Sequence, residues 1–217
     1  MTEAEWLTCD KVVVPVMNWL RRQGDGRQFY LAGCAALRHV FHALPDDRFQ
    51  DLVTLVERYA DGLALANDVR RRRRGLEAVV VRNMEALQLQ GRTLAQASKE
   101  VAAYAATIHL ARPDAGWEAG YSAMVEAARV GKRADQWLWQ CAMLRDIFGN
   151  PFRTAPALDP AWLHWNDGTA VAIAQAIYEE RRFEDLAILA DALEEAGCTS
   201  GDILEHCRGP GPHVRGC

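Results

Sequence analysis

The stretch Phe49-Gln50-Asp51-Leu52-Val53-Thr54-Leu55-Val56-Glu57-Arg58-Tyr59-Ala60-Asp61-Gly62-Leu63 decides the fold class. Its apolar residues Phe49, Leu52, Val53, Val56, Ala60 and Leu63 recur at i, i+3, i+4, i+7, i+11 and i+14, the stripe of a helix laid against a core. A strand would alternate every second residue, and this segment does not. The same spacing recurs outward in both directions. Leu37, Val40, Phe41 and Leu44 form one face of a preceding helix that is expected to end before Pro45. Upstream of it, Pro15 falls in the first turn of a helix carrying Val16, Trp19 and Leu20, which Gly24-Asp25-Gly26 stops. Thr2 and Glu5 make a capping box for a first short helix over Ala4, Trp6 and Leu7.

Downstream, residues 67–130 are rich in Ala and Arg, with breaks expected near Gly91, where Thr93 caps the next helix, and at Arg112-Pro113-Asp114. Trp137, Cys141, Leu144 and Phe148 restore a clean stripe that Gly149-Asn150-Pro151 terminates. Pro151 to Pro160 reads as a connector. Beyond it, Asp167 or Thr169 is placed to cap a helix with Ala170, Ile173, Ala174 and Ile177 inward. A second helix carries Leu186, Leu189, Ala190 and Leu193, and the two form a hairpin joined at Arg182-Phe183. No period of 20 to 50 residues repeats. The expectation is an all-α, irregular multi-helix bundle of stacked hairpins. Residues 1–150 form a helical domain with an Arg-rich middle, 70–133. Residues 151–217 form an acidic helical hairpin with a Cys/His-containing tail, packed on the first.

The 217 residues are half apolar and one quarter charged, which excludes disordered and collagen-like classes. The longest uncharged runs, Val101 to Ala111 and Gly168 to Tyr178, are half the ~20 residues that cross a bilayer. Glu3 and Glu5 precede the apolar run Val12 to Met17, the reverse of a secretory leader, so a cytosolic location is expected. Six cysteines, at 9, 34, 141, 198, 207 and 217, are too sparse for a disulfide scaffold and read as thiols or metal ligands. Arg far outnumbers Lys, and with abundant Ala this fits a GC-rich bacterial genome. The net charge of −4 hides a segregation: residues 70–133 carry +6 and residues 151–217 carry −6. That asymmetry is expected to hold the two parts together across a cleft.

Several blocks resemble a large family of uncharacterised helical proteins expanded in planctomycete bacteria. They are Met1-Thr2-Glu3-Ala4-Glu5-Trp6-Leu7, Val56 to Leu63, Leu144-Arg145-Asp146-Ile147-Phe148-Gly149-Asn150-Pro151-Phe152-Arg153, Leu158 to Leu163, Trp165 to Thr169, Ala190 to Cys198, and His206-Cys207-Arg208-Gly209-Pro210-Gly211-Pro212-His213-Val214-Arg215-Gly216-Cys217. These cover about half the chain. The resemblance implies no activity, cofactor or catalytic residue. Members usually continue with a short apolar tail beyond the last Cys, and a contact made by that tail is expected to be missing here.

Two constellations carry chemistry. Cys198, Cys207, His213 and Cys217 offer the thiolate and imidazole ligands of a tetrahedral zinc site. His206 and Cys207 are adjacent on a short helix and point about 100° apart, so only one of them can ligate, and the Gly-Pro-Gly-Pro turn can fold His213 back. No Cys-x-x-Cys nucleates the set, and buried cysteines often act as small hydrophobes. Arg70, Arg71, Arg72, Arg73 and Arg74 point round a whole helical cylinder, leaving no face for a core. They are expected on the surface or in a loop, either pairing with the acidic C-terminal part or gripping an anionic partner. No aromatic residues interleave, which disfavours single-stranded nucleic acid.

Other features have plainer readings. His39 and His42 are a surface pair, and the tryptophans serve packing. Gly120-Tyr121-Ser122-Ala123-Met124 lacks the last Gly and the strand of a nucleophile elbow. No phosphate loop, His-Glu-x-x-His or dinucleotide fingerprint is present, so no cofactor is expected, with zinc at the Cys/His set as the alternative. The expected function is a cytosolic, non-catalytic interaction module with a protein partner. The alternatives are a zinc-stabilised binding module and a nucleic-acid-associated regulator working through Arg70–Arg74.

Overall fold

The computed structural model describes residues 1–9, 13–44, 46–89 and 98–217, and among them the regular elements are all helical, packed as an all-α multi-helix bundle. In chain order they are α1 (Glu3–Leu7), α2 (Val13–Leu20), α3 (Gly26–His39), α4 (Asp47–Ala60), α5 (Ala66–Leu89), α6 (Ser98–Leu110), α7 (Gly116–Ala127), α8 (Arg133–Phe148), α9 (Pro160–His164), α10 (Thr169–Glu180), α11 (Leu186–Glu195) and α12 (Gly201–Arg208). Short 3₁₀ turns lie at Phe41–Ala43 and Phe183–Asp185, and a left-handed turn with Asn166 at φ +47° and Asp167 at φ +57° spans Trp165–Gly168. Pro45 and the break and cap expected at Gly91 and Thr93 lie outside the described residues.

Helix α3 is the centre. It is buried on all sides from Phe29 through Leu37, the pattern of a helix enclosed by others. It starts at a second capping box, in which the Gln28 N–H donates to Asp25 Oδ1 at 2.8 Å and the Asp25 N–H to Gln28 Oε1 at 3.2 Å. Gly24-Asp25-Gly26 therefore starts α3 as well as stopping α2. Helix α7 crosses α3 at Gly33 and Gly120, where a Cβ on Gly120 would lie 2.2 Å from the Phe29 carbonyl oxygen. The segment around Ser122 is thus a helix crossing. Helix α3 ends at His39, earlier than its apolar stripe implied, and the chain leaves through the 3₁₀ turn while Val40 and Leu44 stay buried.

Helix α4 buries Phe49, Leu52, Val53 and Val56 as its spacing predicts. Leu63 departs from that stripe and is 62 % exposed, because Asp61 caps the helix and Gly62 turns the chain at φ +74°. The arginine run lies within α5, on the surface and not in a loop. Val69, Leu76 and Val79 supply the helix with a buried face. Arg73, four residues after Val69 and three before Leu76, sits on that inward stripe and is half-buried, its stem covering apolar surface while its head reaches Glu77. Gly149, at φ +62°, ends α8 as expected. Asp159 caps α9, and Gly168 in the left-handed conformation precedes α10, so Thr169 is the first helical residue and neither it nor Asp167 is the cap.

Two apolar clusters result. The larger joins α1 to α8; the smaller gathers Ile177, Leu186, Leu193, Cys198, Leu204 and Cys207 from the C-terminal hairpin and α12. The lobes meet through buried acids. Glu57, 1 % exposed, accepts Arg38 Nε at 2.7 Å on one oxygen and Arg38 Nη2 at 2.8 Å on the other, and it also pairs with Arg181. One turn on, Asp61 accepts Arg27 Nε at 3.0 Å and the Tyr178 hydroxyl at 2.8 Å, with Arg215 Nη2 at 3.1 Å. The expected polarity is reversed: acids of α4 hold Arg181 and Arg215 of the net-acidic C-terminal part. The basic middle is occupied elsewhere, Arg70 with Asp114, Arg71 with Asp68, Arg72 with Asp51 and Arg73 with Glu77.

A buried carboxylate left without its cation costs several kcal/mol, because desolvation is no longer offset. Truncating both guanidiniums that face Glu57, Arg38→Ala with Arg181→Ala, is therefore expected to lower the unfolding free energy by at least about 3 kcal/mol. Glu57→Gln should cost less, since the amide still accepts hydrogen bonds. Urea unfolding followed by circular dichroism measures both. A second check concerns Tyr30, whose hydroxyl donates to the Arg112 carbonyl at 2.6 Å and accepts the Ala115 N–H at 3.1 Å. Burial pushes its phenol up to about 12. Its stabilising contribution is complete below the unfolded value of about 10 and drains away as pH rises from there through 12. Tyr30→Phe should remove that alkaline step from the stability profile.

Candidate functional site

Two places gather functional side chains. The first lies where the tail returns to α8. Asp146, 4 % exposed, projects from the last turns of α8, His206 comes from α12, and His213 and Cys217 come from the tail. One ligand atom from each lies within 4.8 Å of all the others. His213 Nδ1 is 2.8 Å from Asp146 Oδ1, and His206 Nε2 is 2.9 Å from Cys217 Sγ. The cross distances are 3.5 Å from His206 Nε2 to Asp146 Oδ1 and 3.9 Å from Cys217 Sγ to His213 Nδ1.

The surrounding contacts fix these orientations. His213 Nε2 meets the Gly209 carbonyl at 3.1 Å, leaving Nδ1 turned inward, and Asp146 Oδ2 accepts the Val214 N–H at 3.0 Å. The Gly-Pro-Gly-Pro turn folds His213 back as its sequence implied. Only glycine fits at position 211, where φ is +80° and a Cβ would stand 2.6 Å from the His213 nitrogen. Burial lowers the His206 imidazole below its ordinary value, and it pushes the Cys217 thiol well above its own, helped by the Asp146 carboxylate.

Chemically the cluster is convergent. In a nucleophile relay the imidazole uses one ring nitrogen for the thiol and the other for the acid. Here Nε2 of His206 faces both Cys217 and Asp146, and Nδ1 of His213 does the same. Four donors aimed at one point suit a cation better than a proton chain.

The sequence set is therefore redistributed. The structure brings His213 and Cys217 together with Asp146 and His206, whereas Cys198 and Cys207 are buried in the smaller apolar cluster. On α12 it is His206, not Cys207, that faces the tail. Asp146 was invisible in the sequence because it lies off the Trp137–Cys141–Leu144–Phe148 stripe, and only the tail's return gives it company. Glu57 was also missed. A signal for it existed: position 57 is four residues after Val53, so a carboxylate occupies the inward stripe.

The second place is the outer side of α4 and α5. A groove of about 900 Å³ runs between them, floored by Leu55 and Leu76 and flanked by Arg48, Arg58, Arg71 and Arg72 with Asp51 and Asp68. Arg71 and Arg72 pair with those acids at 2.8 and 2.9 Å. Arg58 is exposed and has no partner among the described residues. On the other side of α5, Arg70, Arg73 and Arg74 line a smaller cleft of about 500 Å³ with Arg112, Asp114 and Glu77. His39, exposed, stacks on Trp139 at 4.1 Å, and Trp6 and Trp117 spend their N–H groups on the carbonyls of Gly149 and Met17. Both uses are packing. Among the described residues, no helix is long and apolar enough to cross a membrane.

No family model, curated protein or solved structure matches this chain.

The ion pairs of the groove are exposed, and pairs of that kind contribute ~0–1 kcal/mol. Arg72→Ala is accordingly expected to change the unfolding free energy by less than about 1 kcal/mol in a urea titration. A larger loss would make the run part of the scaffold and not an available surface.

Proposed function

We propose that the chain is a cytosolic, non-catalytic helical module that binds another protein through the α4–α5 groove, accepting an acidic amphipathic segment. The observation that carries this reading is the groove itself: unpartnered Arg58 beside Arg71 and Arg72, over an apolar floor, with Leu63 exposed at the rim. A partner's apolar face would cover Leu55 and Leu63. Its carboxylates would meet Arg58 and exchange with Asp51 and Asp68, at little cost because those pairs are weak. The same two acids oppose a phosphate backbone, and the groove holds no aromatic residue on which a base could stack. A protein partner is favoured over nucleic acid on both grounds. The kinship proposed is the planctomycete helical family, resting on the sequence blocks quoted above.

The test is fluorescence anisotropy with a labelled acidic amphipathic peptide, a basic peptide of the same pattern and a single-stranded oligonucleotide. The acidic peptide should bind, and Arg58→Glu with Arg71→Glu should weaken it at least tenfold while the circular dichroism spectrum is unchanged. Tighter binding of the oligonucleotide, or an acidic-peptide affinity indifferent to the double variant, would refute the reading.

A further inference from the structure

The cluster at the end of α8 is independent of the groove and has a chemistry of its own. We propose that Asp146, His206, His213 and Cys217 form a tetrahedral site for one zinc ion, which ties α12 and the tail to α8. The donor set is two imidazoles, one thiolate and one carboxylate, the ligands zinc takes in four-coordinate sites. Magnesium and calcium need six or more oxygens and find one carboxylate here. Copper(I) prefers a sulfur-richer set.

Geometry supports the same choice. Zinc–ligand bonds of ~2.0–2.3 Å put tetrahedral ligand atoms about 3.3–3.8 Å apart. Two of the measured separations, 3.5 and 3.9 Å, already lie near that range. The two hydrogen-bonded ones, 2.8 and 2.9 Å, would open by less than 1 Å. The outer contacts are those a ligating histidine uses: His213 gives its distal N–H to the Gly209 carbonyl and turns the other nitrogen to the centre. Asp146 has its second oxygen held by the Val214 N–H, so one oxygen remains for the ion.

Charge closes as well. On binding, the Cys217 thiol proton and any ring proton facing the centre leave to solvent, the imidazoles ligate as neutral donors, and one thiolate with one carboxylate neutralises the dication. A groove of about 760 Å³ bordered by Asp146 and His206 opens the site to solvent, giving the ion a way in. With four protein ligands no position is left for a substrate, so the site is structural.

The experiment uses the full chain freed of metal and titrated with zinc against a chromophoric chelator, then with cobalt(II) followed by absorbance. About one zinc per chain should bind, and cobalt should give tetrahedral d–d bands with a sulfur-to-metal charge-transfer band. Cys217→Ser should abolish the charge-transfer band and weaken zinc at least tenfold, and Asp146→Asn should weaken zinc while keeping the band. Cys198→Ala should leave both untouched. Failure to bind at micromolar zinc, or a band that survives Cys217→Ser and vanishes with Cys198→Ala, would overturn the assignment. Circular dichroism confirms that each variant is folded. Because the groove arginines are unaltered throughout, loss of the metal site leaves the peptide-binding test to stand or fall separately.

Discussion

The carboxylate of Glu57 is the constraint from which the arrangement of the lobes follows. With 1 % of its surface in water it cannot remain charged among Val53, Val56 and Cys34 unless cations come to it. Arg38 supplies a fork from within the main bundle, and Arg181 reaches over from the turn after α10. That second guanidinium is what makes the interaction long-range: the C-terminal hairpin has its own apolar cluster, and Arg181 joins it by charge to a bundle on which the tail also packs Val214. Asp61, one helical turn along, repeats the device with Tyr178 and Arg215, whose guanidinium also lies 4.4 Å from the Tyr178 ring centre.

The two faces of α4 thereby divide the work. Its inner and C-terminal side carries Glu57 and Asp61 into the interface between lobes, while its outer side lines the groove shared with α5. Once Arg215 is held by Asp61, the tail is fixed next to α8, and His213 and Cys217 on either side of it arrive at Asp146. The proposed metal site is downstream of the clamp in this physical sense. An ion there would add a second fastening to a lobe already seated by salt bridges, and it would fix α12, which the clamp does not touch directly.

Much of this was legible in the chain and some was not, for identifiable reasons. The helices announce themselves through local periodicity and caps: Thr2 with Glu5, the Phe49 to Val56 stripe and the Gly149 terminus all depend on neighbours within a few residues. Leu63 broke its stripe because Gly62 outweighs one more apolar position. The charge blocks misled because summed charge ignores burial. The basic middle spends its arginines on nearby Asp51, Asp68, Glu77 and Asp114, while the bonds between lobes join Glu57 and Asp61 to Arg181 and Arg215, two cations of the net-acidic C-terminal part. His206, His213 and Cys217 were readable as candidate ligand types, and their meeting with Asp146 was not. Asp146 is 60 residues away from His206, and the choice between His206 and Cys207 turns on which face of α12 meets the apolar hairpin.

The most direct test of the clamp is a double-mutant cycle between Glu57 and Arg181, with Glu57→Gln, Arg181→Ala and the combined variant compared by urea unfolding. A coupling of at least about 1.5 kcal/mol is predicted, since the Glu57 carboxylate is out of water and Arg181 is mostly buried beside it. A coupling within about 0.3 kcal/mol of zero would mean that the hairpin is seated by other contacts, and would contradict the account.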